Sequence, residues 1–249
     1  MDDTQKPKEV LIAEVHALRE ALRRNNADLD QFAYVASHDL KAPLRGIANL
    51  SQWLEEDLGP RLGEESRRQL ELLRGRVHRM ESMLDGLLEF SRAGRGSHVP
   101  EPVNVGALVH AVMARLPGGD AARFEVAPGM PTLFTEHLPL QQVFMHLLSN
   151  ALKHARGEDL RVRVEAKEEQ GFHHFWVTDN GPGIAAAYRE KVFAPFQTLV
   201  ARDKVEGSGM GLCVVKKLVE ARGGRVWVES SEGASFHFTW PRPEAEHRE

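Results

Sequence analysis

His38 stands in the run Phe32-Ala33-Tyr34-Val35-Ala36-Ser37-His38-Asp39-Leu40-Lys41-Ala42-Pro43-Leu44, where helical periodicity turns it to solvent, beside a carboxylate and shortly before a proline. An exposed imidazole with one unprotonated nitrogen is a candidate nucleophile. The chain has 12 histidines, so this one gains meaning only from chemistry elsewhere. Two glycine-bearing loops lie far downstream. Thr178-Asp179-Asn180-Gly181-Pro182-Gly183-Ile184 follows a strand-like run, and Gly207-Ser208-Gly209-Met210-Gly211-Leu212 opens a helix rich in Val214, Val215, Leu218 and Val219. In the second, glycines let backbone amides approach a phosphate and the helix N-terminus adds partial positive charge. The first is equally compatible with a plain tight turn, and neither is a Walker A loop or a Rossmann fingerprint. A third element is Leu147-Leu148-Ser149-Asn150-Ala151-Leu152-Lys153-His154, where Asn150 interrupts an apolar helical face. A buried amide needs a partner, either Mg²⁺ carrying nucleotide phosphates or a neighbouring loop. His146, Asn150 and Lys153 fall at i, i+4 and i+7 and so share one helix face.

The elements that must position these groups divide into two textures. Leu11, Val15, Leu18, Leu22, Leu29 and Phe32 follow a heptad spacing, with Asn25 in the seam. That pattern reads as a coiled coil leading to His38, or as one amphipathic helix packed on its own domain; the seam Asn favours pairing. Leu40, Leu44, Ile47, Leu50, Leu54 and Leu58 continue the stripe, and Pro43 is expected to bend the helix. Gly59-Pro60-Arg61-Leu62-Gly63 stops it, and a second helix is expected over residues 64–93. So short a turn makes an antiparallel hairpin, and the surplus apolar surface predicts a four-helix bundle of two hairpins. Residues 94–100 have linker composition. Beyond them, helical patterns at 105–116 and 137–155 interleave with strand-like runs at 123–126, 160–166, 172–178, 225–229 and 235–240. Helices grouped against a mixed or antiparallel sheet make an α+β sandwich.

Composition excludes several functions. The 249 residues and 42% hydrophobic content allow two domains with real cores, and the net charge of −4 offers no basic field for nucleic acid or anionic membrane. No run of about 18 apolar residues suits a membrane span. Cys213 is the single cysteine, so no intrachain disulfide forms and a reducing cytoplasm is the expected location.

The His-Asp-Leu-Lys-Ala-Pro segment followed in order by the asparagine helix and the two glycine loops resembles the sensor histidine kinases of two-component signalling, over roughly residues 31–241. The phytochrome-associated subgroup is the nearest likeness, through the run from Phe32 to Leu44. The resemblance implies an all-α helical-hairpin dimerisation domain, a four-helix bundle in the dimer, followed by an α+β sandwich ATP-binding domain of the gyrase, chaperone and histidine kinase type. Its expected borders are an N-terminal coiled-coil helix at 1–30, the dimerisation and histidine phosphotransfer domain at 31–95, a linker at 96–103, the catalytic ATP-binding domain at 104–241 and a tail at 242–249.

By the same resemblance His38 is the phosphoacceptor, Asn150 the Mg²⁺ ligand, Lys153 a phosphate contact and Asp179 the acceptor of the adenine amino group. Gly181 and Gly183 belong with Asp179; Gly207, Gly209 and Gly211 match the far end of an ATP lid in which Arg202 and Lys204 lie. These two cations suit a γ-phosphate or are simply a charged surface loop. Phe193 and Phe196 match the phenylalanine box, and His154 takes a place near adenine. The implied activity is autophosphorylation of His38 from ATP and Mg²⁺, with Asp39 orienting the imidazole, then transfer to an aspartate of a response regulator receiver domain. The implied partners are a second copy of the chain, that receiver, and an upstream sensor of unknown identity.

Two departures from the family pattern bear on this. His146 replaces a frequent asparagine, and Ala42, four residues after His38, cannot orient a hydrolytic water as Thr or Asn would, which predicts slow dephosphorylation of the receiver. A non-kinase ATPase of the same superfamily would carry a general-base Glu on the Asn150 helix, where position 146 is His. An ATP-binding scaffold would have broken glycine loops, which are intact here.

Overall fold

The computed structural model describes residues 8–95, 99–118, 122–154, 160–169, 171–198 and 207–242. Arg202 and Lys204 fall outside these residues, and the side chains of Leu22, Leu29 and Phe32 are likewise outside what is described. The chain divides into two compact units, Met1–Val77 and His78–Glu249.

Helix α1 runs unbroken over Lys8–Leu58 with Pro43 inside it, so no gap separates the heptad segment from the helix bearing His38. A 3-10 turn at Gly59–Arg61, begun by Pro60, reverses the chain into α2, Glu64–Arg92. The ends of the hairpin are tied by ion pairs from Glu55 to Arg74 at 2.6 Å and Arg67 at 3.8 Å. Along α1 the buried line is Ala33, Ser37, Leu44 and Ser51, a spacing of four and seven that keeps one face inward. Leu40, Ile47, Leu50, Leu54 and Leu58 remain 40–57% exposed, as do Leu72 and Leu73 of α2.

The second unit contains a five-stranded sheet in the order β2-β4-β5-β7-β6, from β2 (Arg123–Val126), β4 (Arg161–Glu169), β5 (Phe172–Asp179), β6 (Val226–Glu229) and β7 (Ser235–Pro241). β2 pairs parallel to β4 and the other neighbours are antiparallel, so the sheet is mixed. A two-stranded antiparallel ribbon joins β1 (Glu101–Asn104) to β3 (Thr132–Thr135). The expected linker at 96–103 overlaps β1, and no strand is expected from the sequence at 132–135; both segments are short, and each is held by the other rather than by an alternating pattern of its own.

Helices α3 (Val105–Met113), α4 (His137–His154) and α5 (Gly211–Glu220) supply the apolar residues that cover one face of the sheet. α3 begins where the Asn104 side chain accepts from Ala107 N at 2.9 Å, an N-cap that satisfies a free amide. Its stripe and that of α4 are fully buried: Val105, Val109, Leu140, Val143, Phe144, Leu147 and Leu148 are at 0% exposure. At the centre Phe144 meets Phe175 edge-on at 5.7 Å and Phe238 at 5.4 Å, geometry that suits aromatic quadrupoles. Trp240 closes one end, its indole donating to Thr135 Oγ1 and its face covered by Arg222, which also pairs with Glu136.

Candidate functional site

His38 lies on the exposed side of α1, and its Nδ1 stands 3.2 Å from Asp39 Oδ1. Both side chains are more than 70% exposed, at 74% and 72%, so neither is held by packing. Tyr34, one turn earlier, stacks near the imidazole at 6.5 Å. A carboxylate accepting from Nδ1–H leaves Nε2 with its lone pair, which is the nucleophilic form.

The groups brought together in the second unit line one cleft: His146, Asn150, Lys153 and His154 from α4, and Gly207, Gly209 and Gly211 from the loop into α5. The apolar face of α4 is fixed against the core, which turns its polar residues to the cleft. The Asn150 side-chain amide makes no hydrogen bond among the described residues. Its carbonyl oxygen is a hard ligand of the kind Mg²⁺ takes. Among the described residues no cluster of three His, Cys, Asp or Glu could hold a metal alone, so an ion at Asn150 would rely on phosphate and water oxygens. The residues present therefore fit Mg²⁺ delivered with a nucleotide.

Gly209, with φ of +70°, lies under the chain at Phe196 and Gln197: a Cβ there would stand 2.8 Å from Gln197 O. Only glycine permits that approach. Phe196 itself has φ of +61°, an unfavourable conformation for an aromatic residue. Of the two phenylalanines matched to the phenylalanine box, Phe193 is buried against Phe236, whereas Phe196 is 45% exposed and its backbone lies against Gly209. Cys213 sits beneath the loop, donating to Met210 O, and burial pushes its thiol pKa up to about 11, so it stays protonated and unreactive near neutrality.

Asp179, Gly181 and Gly183 do not line this cleft. Asp179 is 4% exposed at the end of β5, where Oδ1 accepts from Gly181 N at 2.8 Å and Ala234 N at 3.3 Å. Oδ2 makes no hydrogen bond among the described residues and is the oxygen left for a ligand. Burial raises the carboxyl's pKa, an effect opposed by the two backbone donors and by His154, whose charge reaches Asp179 from the cleft.

Residues that the sequence did not mark hold this corner. Ser230 Oγ accepts from Ile184 N and donates to Gly233 O, while Arg189 donates to Ile184 O and Ser230 O. Gly233 could not carry a Cβ, which would fall 1.9 Å from Asp179 O. Arg79, Gly86 and Glu89, from the end of α2, also line the cleft and were likewise unmarked. Glu89 Oε1 is 2.8 Å from His146 Nε2.

Comparison with known proteins agrees with this division of labour. Residues 28–96 match the His Kinase A (phospho-acceptor) domain, and residues 135–244 match the histidine kinase-, DNA gyrase B- and HSP90-like ATPase family. An α-helical phosphoacceptor region followed by this ATPase fold defines a kinase class. The chain belongs to the sensor histidine kinases. Cyanobacterial phytochrome B of Nostoc sp. is 35% identical over 233 residues, 91% of this chain and 31% of that protein. The chain thus spans about a third of the length of the curated phytochromes it matches. Full-length ShkA, solved in complex with AMPPNP, superposes with a TM-score of 0.60 at 28% identity, covering 85% of this chain and 45% of that one. ThkA in its complex with the response regulator TrrA shares the fold, with a TM-score of 0.62 at 17% identity over 92% of this chain and 67% of that one. No described helix is long and apolar enough to cross a membrane.

Proposed function

We propose that this chain binds ATP in the α4 cleft, transfers the γ-phosphoryl group to Nε2 of His38, and passes it on to an aspartate of a response regulator receiver. The observation that carries the reading is the convergence of Asn150, Lys153 and the glycine loop on one cleft in a chain whose other unit exposes an imidazole already paired to a carboxylate. ShkA, solved with a nucleotide analogue, supports the choice of ATP.

The Nε2 lone pair of His38 forms the new P–N bond as the bond from the γ-phosphorus to the β–γ bridging oxygen breaks, and ADP leaves with that oxygen. Asp39 holds the Nδ1 proton and stabilises the charge that grows on the ring. Lys153 and the amides at the N-terminus of α5 face the polyphosphate in the cleft, and the base reaches past the cleft's own lining to Asp179, whose Oδ2 accepts from the adenine amino group and so selects adenine over guanine. Asn150 would hold Mg²⁺, whose charge neutralises the transferring group when bound. Positioning supplies most of the acceleration, because the protein contributes little covalent chemistry of its own. The half-exposed leucines of α1 and α2 are the surface through which two copies pair. With Ala42 four residues beyond His38, forward transfer dominates over receiver dephosphorylation.

The test is label transfer from ATP. Protein incubated with Mg²⁺ and γ-labelled ATP should retain label, α-labelled ATP should leave none, and Asn150→Ala should abolish retention while preserving the fold. Equal retention by the Asn150 variant would place the nucleotide elsewhere.

A further inference from the structure

Residues 78–92 of α2 are part of the same compact unit as the sheet, and they form one wall of the cleft. Their fit is close. A Cβ at Gly86 would stand 2.6 Å from Met210 Cβ and 3.1 Å from Ser208 Oγ, so only a glycine lets the glycine loop rest on the helix here. One turn on, Glu89 Oε1 meets His146 Nε2 at 2.8 Å and accepts from Gln142 Nε2 at 3.4 Å. At the helix end Lys217 Nζ donates to Phe90 O at 2.6 Å and Ser91 O at 3.2 Å and covers the Phe90 ring, satisfying carbonyls a helix terminus leaves open.

This docking puts a carboxylate where it does not help an anion. The other polar groups of the cleft, Asn150, Lys153, Arg79 and the N-terminus of α5, suit a polyphosphate; Glu89 repels one and engages His146 beside it. We propose that the end of α2 is a gate on nucleotide affinity: Glu89, seated by the contact of Gly86 with Met210, opposes the polyphosphate, and lifting the segment strengthens binding. The gate rests on the nucleotide reading above and adds to it a route by which movement of the phosphotransfer hairpin's second helix reaches the ATP cleft.

Two substitutions separate this from a merely structural wall. Glu89→Gln keeps the shape and an oxygen that accepts from His146 while removing the charge. Gly86→Ala adds the Cβ that cannot fit against Met210, yet Ala is the better helix former, so the helix itself is not weakened. Full-chain wild type and both variants are titrated calorimetrically with ATP and with adenosine, without metal, at low and high salt. Both variants should bind ATP roughly three- to tenfold more tightly than wild type, the Glu89→Gln gain should shrink as salt screens the charge, and adenosine affinity should be unchanged. Wild-type binding of ATP with no gain in Glu89→Gln, or an equal gain for adenosine, overturns the gate and leaves the nucleotide reading intact. Failure of all three proteins to bind either ligand overturns both.

Discussion

Helices α1 and α4 carry apolar stripes of similar strength and put them to different use. In α4, Leu140, Val143, Phe144, Leu147 and Leu148 are wholly buried by the sheet and the neighbouring helices. In α1, Leu40, Ile47, Leu50, Leu54 and Leu58 are 40–57% exposed, and Leu18 is 69% exposed. An amphipathic stripe therefore announces that a partner exists without saying whether it lies in the same chain. The second unit completes its own core. The first leaves apolar surface uncovered, the surface we propose a second copy of the chain covers, and His38 stands on the open side of a long helix.

Four substitutions would break or sharpen this contrast. The largest effect is expected from Phe144→Ala, which removes the ring shared by Phe175 and Phe238. It should destabilise the second unit by about 3–5 kcal/mol in denaturant titration, independently of protein concentration. Leu54→Glu should instead cost about 1.5–3 kcal/mol per chain in association, seen as monomer by sedimentation, with the second unit's melting unchanged. An unaltered dimer in that variant would remove α1 from the interface.

Asn104→Ala, which deletes the cap of α3, should lower the stability of the second unit by about 1 kcal/mol and leave association untouched. The smallest effect concerns the outer face of the sheet, where His237 stacks between Trp227 at 5.1 Å and Trp176 at 6.0 Å. Burial lowers its pKa from the ordinary 6.5, with the neighbouring His174 acting the same way and Glu229 opposing. The unfolded chain then takes the proton first, so stability is full above about pH 6.5 and is lost as pH falls toward the folded pKa. His237→Phe keeps the stack and should flatten that part of the pH–stability profile; an unchanged slope would assign it to His173, which burial shifts the same way.

These contrasts also show what could be read without coordinates. The helix face of His146, Asn150 and Lys153 was legible because periodicity is local, and β5 was legible because its inward and outward residues alternate, whereas β7 was legible as a short apolar run, buried at five successive positions. The ribbon of β1 and β3 was not, since four residues of each strand show no pattern apart from their pairing. Glu89 reads as one more acidic residue on a solvated face among Glu81 and Asp85; its partner His146 is 57 positions away. Gly86 is a poor helix former inside α2, and only the close approach of Met210 in the folded chain shows why glycine stands there. Asp179 was visible as a candidate, but its hold on Ala234 and the clasp by Ser230 depend on strands that meet only in the folded sheet.

The central claim is that His38 receives the phosphoryl group, and site mapping tests it directly. After incubation with ATP and Mg²⁺, mass spectrometry under alkaline conditions should find a single phosphoryl adduct on the peptide containing His38, lost on brief acid treatment and missing from His38→Gln. An acid-stable adduct on serine, threonine or another peptide, or undiminished phosphorylation in His38→Gln, would contradict the account.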